Sequence, residues 1–297
     1  MPETSPPIFQ RLTLIGLGLI GSSVARAARE NGIAAEIVAS DASETVCARV
    51  AELGIADRVE PDLIRAVEGA DCVMLCAPVG VLADIAAVIA PHLAQGCILT
   101  DVGSTKLSVV RDVGPVVPEG VHFVPAHPLA GTEFSGPDAG FAELFQGRYC
   151  LVVPPAGTNA DAVARIVALW QRMGATVEEM EPAHHDRVLA VTSHLPHLIA
   201  FTICGTADDL ADETKEEVLR FAASGFRDFT RIAASDPVMW RDIFLNNREA
   251  LLEMLARFTE DAQAMAKAIR WGDAAYIEDK VLRGRKIRRS LIEIKQA

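Results

Sequence analysis

The sequence predicts an α/β domain built on a largely parallel sheet, followed by an all-helical domain. Three observations carry this. Short apolar runs alternate with helical patterns as far as about residue 178, a glycine-rich turn joins the first strand to the first helix, and strand signals stop after "EPAHHDR" at 181–187. A βαβ succession builds a doubly wound parallel sheet. The later change of hydrophobic period to that of helices marks a second domain. The expected domains are residues 1–180 and 181–297.

In chain order, "LTLIG" is the first strand and "GSSVARAAREN" the first helix, with Val24, Ala25 and Ala28 on one face. "EIVASD" is the second strand, and the helix "SETVCARVAELG" closes at Gly54. "CVMLCAP" is apolar on both faces, as a central parallel strand is. The helix "VGVLADIAAVIAPHL", the strand "CILTDVG" and the short helix "STKLSVVRDVG" follow, with Ser104 a candidate N-cap. "VHFVPA", "YCLVVPP", the helix "ADAVARIVALWQRMG" and the strand "TVEEM" complete the first domain. Long amphipathic patterns then run through "SHLPHLIAFTICGTADDLA", "TKEEVLRFAASGF" and "DIFLNNREALLEMLARFTEDAQAMAKAIRWGD". Their Ala- and Leu-rich faces exceed what one chain buries, which predicts a homodimer. The basic stretch "KVLRGRKIRRSLIEIK" reads as the solvated face of a last helix, with Val281, Leu282, Ile287, Leu291 and Ile294 as its buried side.

The chain of 297 residues carries a net charge of -12, so a nucleic-acid partner is not expected. Its six cysteines form no C-x-x-C pair and read as reduced core residues of a cytoplasmic protein, with no metal site expected. "RLTLIGLGLIGSSVARA" imitates a signal peptide, but three glycines punctuate its apolar run and an acidic, Pro-rich leader precedes it. No run of consecutive apolar residues reaches the roughly 18 that a membrane span needs, so no membrane partner is expected.

"IGLGLIGSS" places Gly16, Gly18 and Gly21 in G-x-G-x-x-G spacing between a strand and a helix. In that context the first glycine permits the tight turn and the second a close approach of backbone to a pyrophosphate. The third lets helix and strand pack closely. Leu19 and Ile20 fill the positions between, where the helix offers free N–H groups to phosphates. Asp41 ends the second strand twenty residues after Gly21. A carboxylate there suits the ribose hydroxyls of NAD and repels the extra phosphate of NADP, although it is also a common helix-capping residue. The expected cofactor is NAD.

Ligands of such sheets bind beyond the carboxyl ends of the strands. "APVG", "DVGSTK" and "AHPLAGTE" belong at that edge and bring Ser104, Lys106, His127, Thr132 and Glu133 there. His127, on an expected loop, is either a hydride-transfer partner or a structural hydrogen-bonder. In "TSHLPH", Ser193 and His197 are four apart and share a helix face, while Pro196 starts or kinks the helix. Asp228 and Arg231 could form a surface ion pair, or Arg231 could clamp a substrate carboxylate.

Together, "GLGLIGSS", "DVGSTK", "AHPLAGTEFSG", "HHDRVLAVTSHLPH" and "FRDFTRIAASDPVMW" resemble the prephenate/arogenate dehydrogenases of tyrosine biosynthesis, in the family's order from about residue 11 to 245. The resemblance implies a Rossmann-type domain joined to a helical dimerisation domain, and NAD(P)-dependent oxidative decarboxylation of a cyclohexadienyl acid. It implies active-site positions for Ser104, His127, His197 and Arg231, and supporting ones for Ser193 and Thr132. Two alternatives remain. A β-hydroxyacid dehydrogenase or imine reductase shares the plan but generally relies on a lysine near the start of the first long helix, and no lysine precedes Lys215 in the helical part. A non-catalytic NAD-sensing protein would not need Ser104, His127 and Arg231 together.

Overall fold

The computed structural model describes residues 6–132, 134–210 and 212–293; Glu133 and Ile294 lie outside them. Strands β1 (Phe9–Ile15), β2 (Ala34–Ser40), β3 (Arg58–Val59), β4 (Cys72–Leu75), β5 (Ile98–Asp101) and β6 (His122–Phe123) form a parallel sheet in the order β3-β2-β1-β4-β5-β6. Helices α1 (Leu19–Glu30), α2 (Glu44–Leu53), α3 (Leu63–Val67), α4 (Leu82–Ile89) and α5 (Leu107–Val113) make the crossovers. Alternate residues feed two cores. Leu12, Leu14, Cys72, Met74 and Ile98 join one cluster, while Ile15, Val73, Leu75 and Leu99 join the other. This is why these strands read as unbroken apolar runs. The strand order reverses between β1 and β4, and such a reversal opens a ligand crevice at the carboxyl edge.

The second half of this domain departs from the single sheet expected. "VHFVPA" does not form one strand. Val124 still donates to the Leu99 carbonyl (2.9 Å), but Pro125 has no N–H to continue the ladder. The chain crosses into β7 (Ala126–Pro128), which pairs antiparallel with β8 (Tyr149–Val152), and β8 pairs parallel with β9 (Thr176–Glu179). His127 therefore sits in a strand rather than on a loop. Helix α6 (Ala160–Arg172) buries Trp170 completely, edge-on to Phe145 at 5.2 Å.

Helix α7 (Pro182–Leu189), a π-helical turn at Ala190–His194 and helix α8 (Leu195–Asp208) run on as one helix. Pro196 falls just after the π-helical turn, inside this continuous helix, where its missing N–H interrupts the hydrogen-bond ladder. By length and composition this helix could cross a membrane, with a mean hydropathy of 1.5 over 18 residues, of which 22% are buried. Counting consecutive apolar residues misses it, because Thr192, Ser193, His194 and His197 interrupt the run. Helices α9 (Asp212–Phe221), α10 (Ser224–Thr230) and α11 (Pro237–Asn246) follow.

The chain forms two compact units, Met1–Arg248 and Glu249–Ala297. The long final pattern breaks at Asn247 into α11 and α12 (Arg248–Trp271), and Gly272, at φ +70°, turns the chain into α13 (Ala274–Glu293). Lys280 bridges back to Asp261 at 2.6 Å. The apolar side expected to be buried on α13 is not: Val281, Leu282 and Ile287 are more than half exposed and Leu291 is 37% exposed. Two helices alone enclose no core. Two of the six cysteines, Cys76 and Cys204, are likewise only half-buried rather than core residues.

Candidate active site

The glycine turn between β1 and α1 is shaped for close backbone approach. Gly16 has φ +95°, and a Cβ there would stand 2.9 Å from the Cys76 carbonyl at the end of β4. A Cβ on Gly21 would collide with the Gly16 carbonyl, whereas one on Gly18 would meet nothing within 4 Å. No side chain caps the start of α1 and no acidic residue lies in its first turn, so its N–H groups keep their partial positive charge. Leu19 and Ile20 pack partly into the core beneath. Asp41 braces this turn: it accepts from the backbone N–H of Leu17 (2.8 Å) and of Ser43 (2.9 Å). The helix cap is Ser43, not Asp41, and Asp41 stays half-buried at the end of β2.

His127 lies just past the end of β6, 8% exposed, with its Nδ1 2.9 Å from Nε2 of His185 on α7. The Nδ1 of His185 is 2.8 Å from an Asp186 carboxylate oxygen. That carboxylate also accepts from the backbone N–H groups of Lys106 (2.8 Å) and Leu107 (3.0 Å). Asp186 thus caps α5 from 80 positions away, and the expected cap, Ser104, does not; α5 begins at Leu107 with no side-chain cap of its own. Beneath lies Lys106, fully buried, its Nζ held by Asp101 (2.5 Å) and the Ala126 carbonyl (2.9 Å). Burial pushes the Lys106 ammonium down, against the pull of Asp101. Burial also holds His127 well below 6.5, helped by His185, Lys106 and His194. His185 is lowered too, by burial, against the pull of Asp186.

The helical wall continues the cluster. His194 in the π-turn is fully buried; Asn247 Nδ2 donates to its Nδ1 (2.9 Å), and its Nε2 lies by the Ser104 backbone without a well-formed hydrogen bond. Burial takes His194 down to about 4. His197 stacks on Trp240 at 3.7 Å and hydrogen-bonds through Nδ1 to the Ser193 carbonyl (2.8 Å), leaving Nε2 as its lone-pair nitrogen. Burial lowers His197, and the nearby Arg231 guanidinium lowers it further. Arg231 is exposed, and the surface pair with Asp228 does not form. Helix α11, which carries Trp240, is set against the "APVG" turn because a Cβ on Gly80 would fall 2.5 Å from the Asp242 carboxylate.

The buried His194 links the two groups: it neighbours His127 on one side, His197 with its neighbour Arg231 on the other, and the Ser104 backbone. Thr132 is not brought in: it is exposed on the loop after β7, where its hydroxyl accepts from Phe134 N–H at 3.2 Å. Ser193 takes part through its carbonyl rather than its hydroxyl.

A family model described as prephenate dehydrogenase, nucleotide-binding domain, matches residues 24–179, and one for its dimerization domain matches residues 181–281. This chain belongs to the prephenate dehydrogenase family. It is 42% identical to the cyclohexadienyl dehydrogenase of Zymomonas mobilis over 96% of this chain and 97% of that one. It is 34% identical to the prephenate dehydrogenase of Bacillus subtilis, over 89% and 71%. Among solved structures it resembles the Aquifex aeolicus prephenate dehydrogenase in complex with hydroxyphenyl propionate and NAD+, with TM-score 0.86, 32% identity, and 95% and 98% of the two chains covered.

Sequence reasoning missed several residues of this candidate site: His185, Asp186, Asn247 and Asp242; it placed Lys106 at this edge but not its pairing with Asp101. The one local signal was "HHD", a histidine directly followed by an acid. Nothing local reveals that His185 meets a side chain 58 positions away.

Proposed function

We propose that this chain oxidatively decarboxylates prephenate, arogenate or both with NAD+, as a cytoplasmic homodimer. In this reading residues 1–180 hold the cofactor and 181–297 supply the substrate wall and the dimer contact. The observation that carries the reading is the hydrogen-bonded chain Asp186–His185–His127 just beyond the parallel strands. The open position at Gly18 and the uncapped start of α1 suit a pyrophosphate, and Asp41, half-buried at the end of β2, would meet the ribose hydroxyls. NAD+ supplies the hydride acceptor.

A cyclohexadienyl acid carries a hydroxyl at ring C4 and a carboxylate at C1. Losing hydride from C4 and CO2 from C1 makes the ring aromatic, which drives the reaction forward. The chain must orient C4 and relieve its hydroxyl of a proton. Neutral His127 accepts that proton through Nε2, help typically worth ~10²–10⁴ in rate. Ser104 orients the hydroxyl or the nicotinamide. Arg231, with no ion pair to another described residue, is free to clamp a carboxylate, and His197, held flat on Trp240, positions the side chain. Ser193 supports His197 through its carbonyl.

The test mixes the enzyme with prephenate or arogenate and either NAD+ or NADP+, following absorbance of the reduced nicotinamide. Turnover with a higher kcat/KM for NAD+ is expected. No turnover with either substrate sinks the reading, and better use of NADP+ removes Asp41 from the ribose.

A further inference from the structure

We propose that His185 and Asp186 are a proton-holding relay behind His127: they fix which nitrogen of His127 faces the substrate and hold a proton displaced toward them while hydride and CO2 leave the ring. This rests on the function proposed above.

The donors and acceptors leave one consistent assignment. Two backbone N–H groups, of Lys106 and Leu107, point at the Asp186 carboxylate, and these can only donate. The carboxylate is therefore ionised and accepts from His185 Nδ1–H at 2.8 Å. The lone pair of His185 then sits on Nε2, so His127 must donate to it through Nδ1–H across 2.9 Å. The remaining lone pair of His127 is on Nε2. The opposite tautomer would aim a bare nitrogen at a carboxylate.

The same chain can hold charge. An imidazolium at His127 would stand in a buried site facing the Lys106 ammonium on the β5–α5 turn, with His194 on the π-turn and the Cys150 thiol on β8 as its other titratable neighbours. An imidazolium at His185 touches Asp186 directly, with Asp101 as a second nearby carboxylate against Lys106 and His194. The step balances as follows. The C4 hydroxyl proton goes to His127 Nε2 as hydride leaves C4, and the His127 Nδ1 proton passes to His185 Nε2. As CO2 departs in the same event, its bonding electron pair flows into the ring and makes it aromatic, which leaves the C4 oxygen as a phenolate. That oxygen recovers a proton from His127 Nε2 as His185 returns one to Nδ1. No proton is gained or lost overall. His185 never touches substrate, so it is a positioning residue.

The test is His185→Gln. Its amide oxygen can still accept from His127 Nδ1–H but cannot take a proton. Rates against pH are measured with prephenate, arogenate and NAD+ on wild type and variant, alongside thermal midpoints. The expected result is a kcat lower by about 10- to 100-fold, with KM within about twofold. The acid limb of kcat should also move to lower pH, because the first proton has lost its carboxylate-paired site. Unchanged kcat, or a reduced kcat with an unmoved acid limb, overturns the relay. Nitrogen-15 spectra of wild-type histidines give a second check that needs no variant. Unprotonated Nε2 atoms on both His127 and His185 support the relay, and a protonated His127 Nε2 at neutral pH overturns it. Wild type that turns over neither substrate overturns the proposed function instead, and the spectra still decide the tautomer.

Discussion

In the function proposed above, His127 accepts a proton and so works only while it is neutral. Its burial beside His185, Lys106 and His194 holds it well below 6.5, and the lone pair needed for proton acceptance is lost only when pH falls through that lowered value. The rate should therefore be full above it, with the acid limb of kcat on the acid side of 6.5. His127→Asn should lower kcat by roughly 10²-fold or more with little change in KM and should lose this limb, because it removes help given mainly in the transition state. Paired pH–rate profiles check this, and a variant that keeps most of its rate and the same limb makes His127 a structural residue. Arg231→Ala should instead raise KM with kcat nearly kept, since a carboxylate clamp acts on bound substrate and transition state alike. Steady-state kinetics that show kcat falling with KM unchanged would remove Arg231 from that role.

Among elements, the glycine turn was fully legible in the sequence because its chemistry is local. Gly16, Gly18 and Gly21 lie within six positions, and the steric reasons that the spacing predicts for the first and third are met at Gly16 and Gly21, while Gly18 is open. Gly21→Ala pushes a methyl into the Gly16 carbonyl, so α1 must move off β1. The expected outcome is loss of NAD+ affinity by at least tenfold in calorimetric titration, together with a lower thermal midpoint. Wild-type affinity would mean that the helix can shift freely. Strand β7 and the cap of α5 were not legible. Pro128 makes "AHP" look like a loop, and strand status comes only from pairing His127 against Leu151 on β8. The cap of α5 comes from Asp186, and local propensity carries no record of so distant a partner. His197 was legible through its four-residue spacing from Ser193, but the Trp240 ring that holds it flat depends on how α11 is set against Gly80.

For the whole molecule, the alternation of strands and helices and its end near residue 181 were legible, because period is a property of long stretches. The fate of the apolar helix faces was not, since a sequence does not say which chain covers them. Ile269, Trp271 and Ile287 are 65%, 76% and 66% exposed in a single chain. These residues are candidates for the contact of the proposed homodimer. Light scattering at micromolar concentration should give the mass of a dimer. Charged substitutions at Ile269 and Ile287 together should shift it toward monomer, and a wild-type monomer would rule the homodimer out.

The cap supplied by Asp186 has a practical corollary for dissecting the protein. A soluble nucleotide-binding piece cut at residue 180 would lose the carboxylate that satisfies the first two amides of α5, at about 1–3 kcal/mol for buried donors left unpaired. A piece ending after residue 194 keeps it. Scanning calorimetry should find the longer fragment melting several degrees higher; equal midpoints would mean that water replaces Asp186 at no cost. A chimaera that joins this cofactor half to another helical half should therefore exchange sequence downstream of the π-turn, because the scissors fall in the wrong place if they follow the change of hydrophobic period alone.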